Sequence, residues 1–214
     1  MNYKKVDIED WKRKEHFIVY RGAVKCGFSL TVKIEITQVL SFIKEKGCKF
    51  YPTMIYLLSK AVNKHQEFRM AMKDKELIIW DEVHPIYTVL HTESEAFSAL
   101  STPYTVDFNR FLDDYAETAE KYKGDLRFSP EAPPENHFNV SALPWIDFDG
   151  FNLNIADFTD YFAPSFTMGK YKKVGDEILL PLAIQVHHAV CDGLHVAKFI
   201  QSLQGYCDDI PNLS

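Results

Sequence analysis

The stretch that most constrains the fold runs from residue 177 to residue 203. Its first part, ILLPLAIQV at 178–186, is almost entirely apolar, and it is too short and too closely flanked by charges to cross a membrane. Hydrophobicity without alternation over this length predicts a strand that is covered on both faces. After the polar run HHAVCDG at 187–193, apolar residues return at helical spacing, at Val196, Phe199, Ile200 and Leu203. The stretch therefore predicts a buried strand, a polar turn and an amphipathic helix.

The polar turn has three competing interpretations, because histidines at the end of a buried strand must be hydrogen-bonded or they destabilise the fold. His187 alone is most simply a structural residue with satisfied hydrogen bonds. A metal site is the second, since Cys191 and His195 are four apart and His188 and Asp192 could add ligands. No second cluster of Cys and His supports it. The third is general-base catalysis, in which an imidazole held in one tautomer takes a proton from a substrate hydroxyl.

Composition narrows the class of protein. At 214 residues, with 46% hydrophobic and 25% charged residues, the chain can bury a sizeable core, and we expect a single soluble domain over 1–214. The net charge of -6 argues against a nucleic-acid surface. Four cysteines without CxxC spacing, and a start without an apolar signal segment, predict reduced thiols and a cytoplasmic protein with no membrane partner.

Capping signals predict three helices before the final one. Thr37 is placed to N-cap the first of them, with Gly47 just past its end. The second begins near Pro52 and continues to about residue 63. Asp107 begins the third, which Gly124 ends.

Apolar runs predict the strands. Strict alternation indicates a half-buried strand at 32–36, and short runs indicate others at 77–80, 86–90, 97–100, 138–143, 151–156, 165–170 and 178–187. A proline-containing loop at 128–134 and a hairpin turn at 173–176 separate some of them. Strands and helices do not alternate regularly, which predicts a mixed α/β fold: a two-layer sandwich of a mixed β-sheet with helices packed on it.

The run HHAVCDG resembles the HHxxxDG signature of the coenzyme A-dependent acyltransferases, and its surroundings are most similar to the chloramphenicol acetyltransferase family. Further similarity extends over essentially the whole chain, in RKEHF at 13–17, CGFSL at 26–30, KFYP at 49–52, FSALS at 97–101, ENHFNVSALPW at 135–145 and FNLNIADFTDYFAP at 151–164. The resemblance implies that family's fold and acetyl-CoA-dependent O-acetylation of chloramphenicol, hence antibiotic resistance.

The resemblance also implies roles for the motif residues. His188, the second histidine, matches the general base, a role worth ~10²–10⁴-fold in rate. Ser141 matches the serine that stabilises the oxyanion, although without the family a strand serine bonded to backbone is the simpler interpretation. Asp192 matches a structural aspartate that pairs with an arginine near the N-terminus, for which Arg13 is the candidate.

Two further groups of residues follow from the same resemblance. The antibiotic pocket matches Tyr20, Cys26, Phe97, Phe128, Phe151, Leu153 and Thr167, each of which taken alone is more typical of an ordinary core. Residues expected near coenzyme A are Trp145, Lys170 and Tyr171, because an aromatic ring can cover adenine and a lysine can contact phosphate. Acetyl-CoA is thus the expected cosubstrate, and no metal is expected.

The family is a homotrimer, so the resemblance implies active sites between subunits, with the base of one subunit facing the antibiotic pocket of its neighbour. Two alternatives remain open. The chain could be an acyltransferase of this fold for another small hydroxylated acceptor, or a catalytically silent ligand-binding homologue. Retention of both His188 and Ser141 argues against the silent homologue.

Overall fold

The computed structural model describes residues 2–212, which form ten strands and five α-helices. The strands are β1 Tyr3–Lys5, β2 Gly27–Glu35, β3 Met70–Lys73, β4 Glu76–Trp80, β5 His84–His91, β6 Ala96–Ser101, β7 His137–Leu143, β8 Ser165–Gly169, β9 Lys172–Val174 and β10 Glu177–His187. The helices are α1 Lys14–Ile18, α2 Thr37–Lys46, α3 Phe50–Lys64, α4 Phe108–Lys121 and α5 Gly193–Asp208.

The larger sheet has the strand order β2-β10-β8-β7-β5-β6, with β9 paired to the beginning of β10. The pairs β5–β7 and β7–β8 are parallel and the others are antiparallel. A small antiparallel sheet, β1-β4-β3, lies apart from it. Helices α3 and α5 pack on each other and against the larger sheet. The predicted mixed sheet with helices packed on it is therefore confirmed.

Strand β10 is covered on both faces, as its continuous hydrophobicity predicted. Residues 180–187 are all buried. Alternate side chains of a strand point to opposite faces, and Leu182, Ile184 and Val186 join the core beneath the helices, where Phe166 of β8 stacks on Phe199 of α5.

The other face of β10 is covered by a segment without regular secondary structure, residues 146–162, which we call the cover segment. Leu153 N donates to the side-chain Oε1 of Gln185 over 2.8 Å. The rings of Phe158 and Phe162 pack against His187. The cover segment approaches β2 so closely that a Cβ added to Gly27 would overlap the Phe158 ring. Glycine is therefore required at that position.

The predicted strand at 151–156 is wrong, because backbone N–H groups in this part of the cover segment donate to side chains and not to a neighbouring strand. Phe151 N donates to Thr31 Oγ1 over 3.3 Å, and Leu153 N donates to Gln185. The segment lies on the sheet face without joining the sheet, although its apolar residues have the composition of a strand.

The predicted N-cap at Thr37 is also wrong. Helix α2 begins at Thr37 itself, and the residue in the N-cap position is Ile36. The Thr37 hydroxyl instead accepts from Ile178 N over 2.9 Å, which ties the beginning of β10 to the helix. The predictions at the other two caps are confirmed: Gly47 ends α2 with φ 71°, and the Asp107 side chain accepts from Arg110 N.

The end of α4 differs slightly from the prediction. Helix α4 ends at Lys121, before Gly124, whose φ of 78° belongs to the turn that follows. Within residues 2–212 none of the helices combines the length and the apolar character that crossing a bilayer requires.

Candidate active site

The His188 ring is fixed by the turn that follows β10. Its backbone N donates to Cys26 O over 3.0 Å, and its Nδ1 lies 3.2 Å from Cys191 O. Because a carbonyl oxygen can only accept, Nδ1 must carry a proton. The neutral ring therefore has its lone pair on Nε2, which is the form that can act as a base.

Two aromatic rings hold this imidazole in place. Tyr20 stacks on it with centroids 3.9 Å apart and an angle of 18° between the planes. Phe28 meets it edge-on at 5.2 Å. His188 stays partly accessible between them, so a substrate hydroxyl could reach Nε2.

His187, its neighbour, lies in a very different environment. It is buried, and its Nδ1 accepts from Ala189 N over 3.0 Å. Burial lowers the pKa of the imidazole to about 4, so the ring is neutral near pH 7. Its single lone pair is already occupied by the Ala189 N–H, which leaves His187 unable to take a substrate proton.

Asp192 lies at the N-cap of α5 and forms an ion pair with Arg13. Partial burial acts to raise the pKa of this carboxyl, but the hydrogen bond and the charge of Arg13 prevail and the pKa is lowered. Arg13 also reaches His188 O with Nη2, over 3.3 Å. The ion pair thus braces the backbone of the turn, and the His188 Nδ1 contact goes to Cys191 O and not to the carboxylate.

Ser141 lies on the face of the sheet that is away from the helices. Its hydroxyl is 2.9 Å from Thr167 Oγ1 of the adjacent strand. Both residues line an open cleft of about 830 Å³, together with Phe97, Phe128 and Leu153. The cleft therefore combines two hydroxyls with an apolar, partly aromatic wall, which is the usual composition of a small-molecule site.

Strand register separates Ser141 from His188 within one chain. Ser141 pairs with Thr167, and Thr167 pairs with Ala183 of β10. His188 comes five residues after Ala183, which is roughly 16 Å further along the sheet. In a single chain the two side chains are too far apart to act on the same bond.

The expected pocket residues consequently fall into two groups. Tyr20 and Cys26 lie beside His188, whereas Phe97, Phe128, Leu153 and Thr167 lie around the cleft with Ser141. Phe151 is not brought into the cleft, because its ring packs on Phe148 at 5.7 Å in the cover segment.

The three residues expected near coenzyme A lie together at the far end of β7 and β8. Lys170 N donates to Ile146 O over 2.8 Å, which joins the turn carrying Trp145 to the end of β8. Trp145 and Tyr171 are both exposed, and Tyr171 meets Phe50 at 5.3 Å. This cluster offers exposed aromatic surface beside a lysine.

The residues of the metal alternative make other contacts. Cys191 is buried, and burial raises the pKa of its thiol. His195 Nδ1 accepts from Asp192 N over 3.1 Å and closes the capping box of α5. In the described part of the chain, no group of three or more metal-ligating side chains is arranged around a common point.

Sequence reasoning missed two residues of the site. Phe28 contacts His188, and Gln185 holds both β2 and the cover segment, since its Oε1 accepts from Ser29 Oγ and from Leu153 N. The alternation of β2 identified a strand but not which side chains face the turn. The polar residue in the middle of the apolar run was the one signal for Gln185.

Comparisons with known proteins show the family of the chain. The family model for chloramphenicol acetyltransferase matches residues 1–204. The chain belongs to the chloramphenicol acetyltransferase family. Chloramphenicol acetyltransferase 3 of Escherichia coli is 56% identical over 209 residues, covering 97% of this chain and 98% of that protein. The chloramphenicol acetyltransferase of Proteus mirabilis is 52% identical, covering 95% and 94%. The family resemblance of the sequence is confirmed.

Solved structures share the fold. A chloramphenicol acetyltransferase superposes with a TM-score of 0.85 at 21% identity, covering 96% of this chain and 99% of that one. A dihydrolipoamide acetyltransferase of Azotobacter vinelandii gives a TM-score of 0.67 at 18% identity, covering 91% and 87%. At such identities the likeness concerns architecture alone, and it extends the fold to other acyltransferases.

Proposed function

We propose that the chain, as one acyltransferase domain over 1–214, transfers the acetyl group of acetyl-CoA to a hydroxyl of chloramphenicol and so confers resistance. Relatives that are more than half identical over nearly their whole length carry the name chloramphenicol acetyltransferase. The observation that carries the proposal is the His188 ring, whose Nδ1 is committed to Cys191 O and whose Nε2 is left as an acceptor.

The reaction needs a base because an alcohol is a weak nucleophile at neutral pH. His188 Nε2 takes the proton of the chloramphenicol hydroxyl as its oxygen attacks the thioester carbonyl carbon. The tetrahedral species collapses by breaking the carbon–sulfur bond, and the departing thiolate receives that proton from the imidazolium. The products are acetylated chloramphenicol and free coenzyme A, and no acetyl group is attached to the protein.

Ser141 is the proposed donor to the oxyanion. Its hydroxyl lies 2.9 Å from Thr167 Oγ1, and either oxygen could donate in the absence of substrate. If Thr167 donates, the Ser141 proton is free to point into the cleft. Such a donor acts most strongly on the charge that develops in the transition state.

The two substrates are proposed to bind in the two regions described above. The apolar side of the cleft, with Phe97, Phe128 and Leu153, suits the nitrophenyl group of the antibiotic. Exposed aromatic rings beside Lys170 suit adenine and phosphate of coenzyme A. The path between them passes Ser141 on β7.

The active site is proposed to form between subunits of a homotrimer. Support comes from the strand register. His188 lies roughly 16 Å further along the sheet than Ser141, and this distance cannot be closed within one chain. A cyclic assembly brings the His188 turn of one subunit to the open cleft of the next. We place the trimer in the cytoplasm, in line with Cys26, Cys48, Cys191 and Cys207 being free thiols.

Release of coenzyme A thiol tests the activity. The purified chain is mixed with acetyl-CoA, with and without chloramphenicol, and the antibiotic-dependent rate is measured. Release that depends on another hydroxylated acceptor and not on chloramphenicol would favour the alternative acyltransferase. No release with any acceptor would indicate the silent homologue.

Mixing two inactive variants tests the shared site. His188→Ala and Ser141→Ala chains are unfolded together, refolded as a mixture and compared with each variant refolded alone. If sites form between subunits, roughly a quarter of the interfaces regain an intact pair. Activity should then rise well above either variant. A mixture no more active than its components contradicts the shared site.

A further inference from the structure

Phe128 lines the cleft, and it belongs to a loop that has no regular secondary structure. Its side chain is 66% exposed, and it meets Phe97 edge-on with centroids 5.8 Å apart. The Phe128 backbone is attached to the open edge of β6, where Ala99 N donates to Phe128 O over 2.6 Å. What keeps the loop there decides where the Phe128 ring points.

Ser98 provides the second attachment, from the opposite face of the sheet. It is buried, while its neighbours Phe97 and Ala99 face the cleft. Its Oγ lies 2.6 Å from Arg127 O and 3.0 Å from Asp125 O. A carbonyl cannot donate, so the single hydroxyl proton of Ser98 serves these two loop oxygens.

His91 completes the attachment and its role follows from that assignment. His91 Nε2 lies 2.8 Å from Ser98 Oγ. Since the Ser98 proton is directed to the loop, Nε2 must be the donor. His91 thus donates to Ser98, and Ser98 donates to the loop oxygens.

The loop has local support of its own. Arg127 N donates to Asp125 Oδ1 over 3.1 Å, and the Arg127 guanidinium hydrogen-bonds the same carboxylate. These bonds shape the turn but do not join it to the sheet. Attachment to β5 and β6 depends on Ser98, on its partner His91, and on the Ala99 bond.

We propose that His91 and Ser98 are positioning residues that set the affinity of the cleft for the aromatic part of its acceptor. They hold residues 125–128 against β6, so that the Phe128 ring stays beside Phe97. The inference rests on the proposed function, since the aromatic part is that of chloramphenicol. Neither residue touches the reacting atoms, so the effect falls on acceptor binding and not on turnover.

The kinetic test compares His91→Leu, which removes the donor, with His91→Gln, whose amide can still donate. His91 is partly exposed, so both variants should fold. In His91→Leu the KM for chloramphenicol should rise about 3- to 10-fold, because one lost hydrogen bond lowers the population of the docked loop. The kcat and the KM for acetyl-CoA should stay within twofold, and His91→Gln should resemble the parent.

A double-mutant cycle asks whether His91 acts through Phe128. In a Phe128→Ala background, the His91→Leu change should have little further effect on the KM for chloramphenicol. A general loss of packing would add to the Phe128→Ala effect instead. Unchanged chloramphenicol KM in His91→Leu, equal changes for both substrates, or additivity in the cycle would each overturn the proposal.

Hydrogen exchange separates this inference from the proposed function. The Ala99 amide should exchange faster in His91→Leu than in the parent or in His91→Gln, and this readout needs no activity. Faster exchange in a protein that acetylates no chloramphenicol would overturn the proposed function and leave the loop attachment standing. Unchanged Ala99 exchange would overturn the attachment itself, whatever the activity.

Discussion

The turn that carries His188 and the cleft that carries Ser141 belong to one sheet, but they are built differently. At the turn, Arg13 pairs with Asp192, Cys191 O accepts from His188 Nδ1, and two aromatic rings pack on the His188 imidazole. In the cleft, the Ser141 and Thr167 hydroxyls hydrogen-bond to each other, and the space beside them is open. The His188 ring is thus fixed by contacts within one chain, whereas the cleft around Ser141 and Thr167 stays open.

This difference has a cause in the cover segment. Residues 146–162 cover β10 and bury His187, but leave the same sheet face open at β7 and β8. The sheet face away from the helices therefore has a covered part, over β10, and an open cleft, over β7 and β8. Changes at the turn should affect proton transfer or stability, and changes in the cleft should affect what the cleft binds or stabilises.

The largest effect is expected from removing the base. His188→Ala should lower chloramphenicol acetylation about 10²–10⁴-fold while the protein stays folded, because the ring is partly exposed and its loss removes one hydrogen bond, to Cys191 O. His187→Asn, which keeps an acceptor for Ala189 N, is the matched control and should retain most activity. Steady-state rates of thiol release measure both. Activity of His188→Ala within tenfold of the parent would rule out the assignment.

A somewhat smaller effect is expected in the cleft. Ser141→Ala should lower kcat on the order of 10²–10³-fold with the KM for both substrates nearly unchanged, since an oxyanion donor acts in the transition state. Ala142→Ser, which places a hydroxyl on the other face of β7, is the control for the strand. A large rise in KM at constant kcat would make Ser141 a binding residue.

The sealed environment of His187 predicts an acid-sensitive stability. Its folded pKa of about 4 lies below the ordinary value of 6.5, so the unfolded chain takes up the proton first. This contribution is fully present above pH 6.5 and is lost progressively as pH falls toward 4, by at most about 3 kcal/mol in the free energy of unfolding.

Urea unfolding from pH 7 to pH 4 measures that loss. His187→Asn should flatten the dependence, while substitution of the exposed His16 by Asn should leave it unchanged. Equal slopes in the parent and in His187→Asn would show that burial of His187 is not the source. The turn and the cleft would then be less different than their contacts indicate.

The smallest effect concerns the brace of the turn. Asp192→Asn and Arg13→Ala should each lower the free energy of unfolding by about 1–3 kcal/mol, because the pair is only partly buried and each partner is left alone. The double variant should lose less than the sum. Additive losses in thermal melts would mean that the pair does not couple. Full stability with turnover thousands-fold slower would instead make Asp192 part of a catalytic triad.

Local pattern was sufficient for much of the fold and for part of the site. The apolar run before HHAVCDG identified the buried strand β10. The glycine after α2 and the aspartate before α4 identified helix ends, because only a few residue types are favoured at those positions. The motif and the segments around it identified the family. These signals depend on neighbours in the chain, which is why one sequence was enough to find them.

Only the tertiary structure decided the rest, because it depends on partners far apart in the chain. Residues 151–156 have the composition of a strand, yet their N–H groups bond Thr31 and Gln185, so they cover the sheet and do not extend it. Thr37 has the chemistry of a cap, yet its hydroxyl holds Ile178. Spacing alone could not show that Ser141 and His188 lie at different ends of the sheet, since that distance follows from the pairing of β7, β8 and β10.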